Sequence, residues 1–181
     1  MNIAEAKSNI KILFPSADIA KRNEELAEEI ANTMGSDILV IAVLKGSFVF
    51  AADLIRALHH AGVKPQIDFM ALSSYGDKTV SSGNVLITRD IVDTVKGRKV
   101  LLIDDILESG RTMAFAQQEL LDRGAEIVKT CLMLDKKGKR VSDFEADFVG
   151  FDCPDLFVVG YGLDYAHYYR ELPYIGYIVK D

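Results

Sequence analysis

At 181 residues the chain has the length of one domain and can bury a sizeable core. Its 49% hydrophobic and 27% charged residues exclude a disordered chain, and no apolar run approaches the roughly 20 residues that span a bilayer. Lys and Arg number 21 against 27 Asp and Glu, a net charge of −6, so the basic face that nucleic-acid binding requires is not expected.

The start, MNIAEAKSNIKILF, lacks the apolar stretch and cleavage site of a signal peptide, so a cytoplasmic location is expected. Ser16 or Asp18 can cap a first helix running to about Met34, with Gly35 as its stop. DILVIAVL, 37–44, is a nearly continuous β-branched run that suits a strand buried on both faces. A helix is predicted over 48–60, a strand over 67–74, a Gly-bearing polar loop over 76–84 and a strand over 85–91. Gly97 turns the chain into a strand over 99–107; a helix starts near Thr112, and IVKTCLML, 127–134, is again a strand. Short apolar runs, DFVGF and FVVGYG, and the tail YIGYIV follow. Cys131 and Cys153 belong to no CxxC and have no His at zinc-ligand spacing, so both are expected as reduced core residues.

Alternating strands and helices predict an α/β fold with a twisted, mainly parallel sheet flanked by helices. No repeat or linker divides the chain, so 1–181 is expected to form one domain. Ligands of such sheets sit beyond the carboxyl ends of the strands.

The most informative stretch is VLLIDDILESGRTM, 100–113. A buried strand empties into two adjacent carboxylates, Asp104 and Asp105, and then into Glu108, Ser109, Gly110, Arg111 and Thr112 at the start of a helix. Helix N-termini present unpaired N–H groups, and Ser, Gly and Thr there let the backbone wrap a phosphate. Carboxylates beside a phosphate repel it unless they serve something else. Vicinal ribose hydroxyls, which donate to acceptor-only carboxylates, are one such partner, and a divalent metal is another. The combination suggests a sugar phosphate. It is neither a Walker A loop nor GxGxxG.

This pattern resembles the phosphoribosyl-pyrophosphate signature of the type I phosphoribosyltransferases, and within them the members that act on 6-oxopurines. The likeness runs over about 37–178, on four motifs in the same order: Leu44-Lys45-Gly46-Ser47, Ser74-Tyr75, the acidic stretch, and Lys136 to Arg170 with FVVGYGLDY. It implies a small hood over the core (about 37–150), built from the N-terminal segment and about 151–181. Asp104 and Asp105 would face the ribose hydroxyls, and Ser109, Gly110, Arg111 and Thr112 the 5-phosphate. Glu108, where the family usually has Asp, would be the general acid or base near N7 of the purine. Lys45, Gly46, Ser74, Tyr75 and Arg170 would bind pyrophosphate, with a cis peptide between Leu44 and Lys45 and a loop at 74–84 that closes over the substrates. Lys136 would reach O6 of the base, Phe157 would stack on it, and Val158 would offer backbone polar groups to its edge. Without the likeness, Lys45 reads as a solvated strand-end lysine, Lys136 as part of a solvated basic turn, and Phe157 as core.

The implied activity is transfer of 5-phosphoribosyl from 5-phosphoribosyl 1-pyrophosphate to N9 of hypoxanthine, and also guanine, giving IMP or GMP and pyrophosphate. Mg2+ is the implied cofactor, with Asp164 at its end of the pyrophosphate. The expected partners are these small molecules and further copies of the chain, as a homodimer or homotetramer, with no nucleic acid and no membrane. Xanthine–guanine transfer on the same fold and a non-catalytic, nucleic-acid-binding sensor of the donor are the alternatives.

Overall fold

The apolar runs become a layered α/β structure in the computed structural model, which describes residues 9–75 and 84–179. A six-stranded sheet has the order β4-β3-β2-β5-β6-β7, built from β2 (Leu39–Leu44), β3 (Gln66–Tyr75), β4 (Asn84–Arg89), β5 (Lys99–Leu107), β6 (Ile127–Asp135) and β7 (Phe148–Asp152). All its pairings are parallel except that of β3 with β4. Three helices connect and cover it: α1 (Ser16–Met34), α2 (Phe48–His60) and α3 (Arg111–Asp122).

Side-chain alternation along the central strands explains why they read as unbroken apolar runs. Leu39, Ile41 and Val43 of β2 join Val100 and Leu102 of β5 in a core closed by Met113, Ala116 and Leu120 of α3. Val40 and Ala42 join Leu101 and Ile103 in the opposite core, closed by Leu26 and Ile30 of α1 and Phe50 and Leu54 of α2. Each such side chain is fully or almost fully buried, a gain of about 1.5–3 kcal/mol for each one larger than alanine. Because helices cover both faces, neither face of a central strand needs polar residues.

Helix α1 does not start as expected. Neither Ser16 nor Asp18 caps it; Pro15 stands at the N-cap with extended backbone, and its carbonyl accepts the N–H groups of Asp18 and Ile19 at 3.1 Å. Proline fixes φ near the value needed and its carbonyl supplies the first helical acceptor, so no side chain is required. Gly35 ends the helix as predicted, at φ +81°, with its N–H on the Ala31 carbonyl at 2.9 Å. β3 runs one residue further at each end than predicted, and α3 begins at Arg111, one residue early. Most of the loop predicted over 76–84 lies outside the described residues.

The two chain ends meet in a separate antiparallel sheet, β1-β9-β8, from β1 (Ile10–Phe14), β8 (Val158–Val159) and β9 (Ile175–Ile178). The apolar tail is therefore the middle strand of the hood. The six-stranded sheet ends with β7, where 148–152 pair with β6, and β8 and β9 of the small sheet come after it in the chain. Tyr161 ties the hood to the helices: Asn23 Nδ2 of α1 donates to its hydroxyl at 2.8 Å, and that hydroxyl donates to Asp53 Oδ2 of α2 at 2.8 Å. Cys131 and Cys153 are buried and unpaired by any disulfide, and burial raises both thiol pKa values. Among the described residues no helix is long and apolar enough to cross a membrane.

Candidate active site

β2 runs on through α2 to β3 on one side, while β5 leads through α3 to β6 on the other. The topological switch point thus lies between β2 and β5, where a ligand crevice is expected at the carboxyl ends. Ala42 pairs with Ile103, so Asp104 and Asp105 come level with the end of β2. The next turn closes on them. The Leu44–Lys45 peptide is cis, Lys45 is exposed, and a Cβ on Gly46 would overlap the Asp105 carboxylate. Gly162 of the hood, at φ +99°, lies so close to the Gly46 carbonyl that only a glycine fits there too. Strand end, acidic pair and hood are therefore in direct contact.

The acidic pair is partly buried. Burial first, and repulsion from Asp105 second, hold the Asp104 carboxyl well above the usual carboxylate range. Burial also raises Asp105, although the Ile106 N–H at 2.9 Å and the charge of Arg170 ease it. A close pair of this kind titrates as one unit. Such a pair is relieved by hydroxyl donors or by cations.

After the pair, Ser109 and Gly110 turn the chain into α3. Gly110 is the N-cap at φ +82° and supplies no side-chain cap, while the Arg111 N–H donates to Ser109 Oγ at 3.3 Å. A Cβ on Gly110 would meet Ser142, Phe144 and Arg140. The turn is pinned from behind by Val141 N–H and Ser142 Oγ, both donating to the Ser109 carbonyl at 3.1 Å. The start of α3, with Thr112 in its first turn, suits an anion. The crevice over 104–113 has a volume of about 250 Å³. A larger hollow of about 530 Å³ lies behind this turn, lined by Asp135, Arg140, Phe144 and neighbours. It lacks the acidic pair and the open helix start, so the smaller crevice is the chemically equipped one.

Glu108 and Lys136 come together through sheet register. Leu107 of β5 pairs with Asp135 of β6, so the residues that follow stand side by side. The Lys136 N–H donates to the Leu107 carbonyl at 2.9 Å, and Lys136 Nζ donates to Glu108 Oε1 at 2.8 Å. The Lys136 side chain is 6% exposed against 46% for Glu108, so Lys136 is not the solvated lysine that its cluster suggests. Asp155 Oδ1 lies 3.5 Å from the same ammonium and 3.3 Å from Lys139 Nζ. Burial works to lower the Lys136 pKa, but the Glu108 hydrogen bond and the charges of Glu108 and Asp155 outweigh it and raise it. The ammonium is therefore held charged.

The hood supplies the remaining groups. Phe157 is 51% exposed and meets Tyr165 edge to face at 5.7 Å, so it is not core and presents ring surface. Val158 is buried in β8. Arg170 donates to the Gly162 carbonyl at 2.6 Å and pairs with Asp164 at 2.7 Å. Asp164 also accepts the His167 N–H at 2.8 Å. Ser74 and Tyr75 end β3; the rest of their predicted loop, 76–83, lies outside the described residues.

No group of three or more metal-ligating side chains occurs among the described residues. Asp164 is nevertheless held in place by two donors at the Arg170 end of the site. Magnesium commonly needs only one or two carboxylates, the rest of its shell being water and substrate phosphate oxygens. The residues present fit an ion held in that way.

The Phosphoribosyl transferase domain model matches residues 9–166. The chain belongs to the phosphoribosyltransferase family. Among its relatives, the hypoxanthine-guanine phosphoribosyltransferase of Aquifex aeolicus is 45% identical over 174 residues, covering 95% of this chain and 96% of that one. The Bacillus subtilis protein of the same name is 46% identical over 167 residues, covering 92% and 91%. The crystal structure of a hypoxanthine phosphoribosyltransferase from Staphylococcus aureus superposes with a TM-score of 0.89 at 37% identity, covering 99% of this chain and 96% of that one.

In this phosphoribosyltransferase three of the four separated motifs meet at the crevice, through Gly46, the acidic pair with its 109–112 turn, and the Asp164–Arg170 pair. Glu108 and Lys136 stand at its edge. Two members escaped the sequence reading. Gly162 had a visible signal, a second glycine in the FVVGYG run. Asp155 had none, since its partner lies 19 positions away on another element.

Proposed function

We propose that the chain is a 6-oxopurine phosphoribosyltransferase of purine salvage. It transfers the 5-phosphoribosyl group of 5-phosphoribosyl 1-pyrophosphate to N9 of hypoxanthine, and of guanine, yielding IMP or GMP and pyrophosphate. The observation that carries this reading is the buried Lys136 beside Glu108, one strand over from the acidic pair and phosphate turn. A donor-only ammonium and a proton-accepting carboxylate are what a 6-oxopurine needs at its edge.

In this reading the Ser109–Thr112 turn takes the 5-phosphate on the start of α3. The Asp104–Asp105 pair accepts the ribose hydroxyls, which relieves its mutual repulsion. The backbone of the Lys45–Gly46 turn, Ser74, Tyr75 and Arg170 contact the pyrophosphate. As the bond from C1′ to the pyrophosphate oxygen breaks, its electron pair leaves with pyrophosphate, and N9 forms the new bond to C1′. Glu108 accepts the purine proton at N7 and must be within hydrogen-bond reach of it. Phe157 stacks on the base, Val158 meets its edge through the backbone, and Lys136 donates to O6. Adenine would face the ammonium with an amino group, leaving donors opposed, a mismatch that discriminates strongly at a buried site. Asp164 would hold the magnesium ion, which when bound neutralises charge on the leaving pyrophosphate. The enzyme is proposed to work in the cytoplasm as a homodimer or homotetramer.

The test is product formation. Protein, donor, magnesium and hypoxanthine should give IMP and pyrophosphate in equal amounts. Absence of nucleotide, with the protein folded, overturns the reading.

A further inference from the structure

We infer that Asp155 is a positioning residue for base recognition: it keeps hold of the Lys136 ammonium when Glu108 turns to the substrate. The inference rests on the reading of the Lys136 edge as a 6-oxopurine pocket.

Lys136 Nζ has three N–H donors and little access to water, with its side chain 6% exposed. Its ion pairs among the described residues are Glu108 at 2.8 Å and Asp155 at 3.5 Å. Glu108 cannot take a proton from the purine while it stays fully committed to Lys136. Once it turns away, the ammonium would face only the neutral O6 carbonyl. A buried cation with no counter-charge is costly and drifts toward its neutral form. Asp155 is the carboxylate placed to prevent this.

Its location suits the task. It sits between β7 and β8, two residues before Phe157, and the Cys153 N–H anchors that segment to the Asp135 carbonyl at 2.8 Å, beside Lys136. Its side chain is 59% exposed, so it can move the short distance from 3.5 Å to a hydrogen bond. Lys139, on its other side at 3.3 Å, marks the competing view that Asp155 belongs to a surface pair. Surface pairs of that kind contribute little, so the two views predict different outcomes.

The experiment measures KM for hypoxanthine, KM for the donor and kcat in wild type, Asp155→Asn, Asp155→Glu and Lys139→Met. Asp155→Asn should raise KM for hypoxanthine about tenfold while KM for the donor stays within about twofold. Asp155→Glu should recover most of the loss, and Lys139→Met should leave KM for hypoxanthine within about twofold. An unchanged KM for hypoxanthine in Asp155→Asn, an equal rise for both substrates, or the same effect from Lys139→Met overturns the inference and leaves the proposed activity standing. Absence of turnover by the wild type overturns both.

Discussion

Replacing Lys136 with methionine isolates base recognition from folding. Methionine keeps the apolar stem and removes the three N–H donors. In the protein without substrate, the two carboxylates left behind are 46% and 59% exposed and regain water readily. The folding cost of losing the pairs should therefore stay below about 1 kcal/mol, a drop of no more than about 4 °C in Tm for a chain of this size. The charged hydrogen bond that Lys136 is proposed to donate to O6 would be worth about 1.5–3 kcal/mol. At about 1.4 kcal/mol per decade, kcat/KM for hypoxanthine should fall roughly 10- to 150-fold. Adenine loses only an opposed donor, so the preference for hypoxanthine over adenine should shrink. Steady-state kinetics with both bases, alongside a thermal melt, reads every quantity. A Lys136→Met protein that melts like wild type and keeps its hypoxanthine kcat/KM within about twofold would refute the assignment of Lys136 to the base.

Other consequences are equally direct. Glu108→Gln keeps the shape and a hydrogen bond to Lys136 but not the basicity; kcat should fall by about 10²-fold or more, with donor affinity by equilibrium titration unchanged. Gly46→Ala puts a Cβ into the Asp105 carboxylate, so KM for the donor should rise at least about tenfold, and an unchanged KM would show that the turn and the pair are not coupled. Asp104→Asn should separate stability from binding. The Asp104 pKa is raised in the folded state by burial and by Asp105, so the folded protein holds a proton that the unfolded chain has lost. That contribution is full below the unfolded value of about 3.9 and is lost as pH rises through the folded value. At neutral pH the repelling pair is therefore destabilising, and Asp104→Asn should raise Tm there, with the gain shrinking toward pH 4, while donor binding is lost. Melts that show no gain at neutral pH would count against the repulsion.

Much of this was legible in the sequence because local signals agreed. The run 99–107 is β5 to the residue, since a preceding Gly turn and the following Ser109-Gly110 turn mark its limits and an apolar run fills it. The 104–112 site is contiguous, so one strand-to-helix turn contains it. What escaped depends on register and on three-dimensional neighbours. The pairing of Glu108 with Lys136 follows from Leu107 standing opposite Asp135, a fact that exists only once β5 and β6 are known to be adjacent and parallel. Residue type alone makes Phe157 a core residue, yet it is half exposed and meets Tyr165 edge to face. The capping rule failed at α1 because a proline carbonyl did the work usually given to a hydroxyl.

In the proposed reaction a donor-only lysine and a carboxylate select a 6-oxopurine for phosphoribosyl transfer. This selection is tested most directly by the initial rate of pyrophosphate release from the donor, with magnesium, in the presence of hypoxanthine, guanine, xanthine or adenine in turn. Rapid release with hypoxanthine and guanine and none above background with adenine is the predicted result. Release with adenine as fast as with hypoxanthine, or none with any base from a protein that binds the donor tightly, would contradict it.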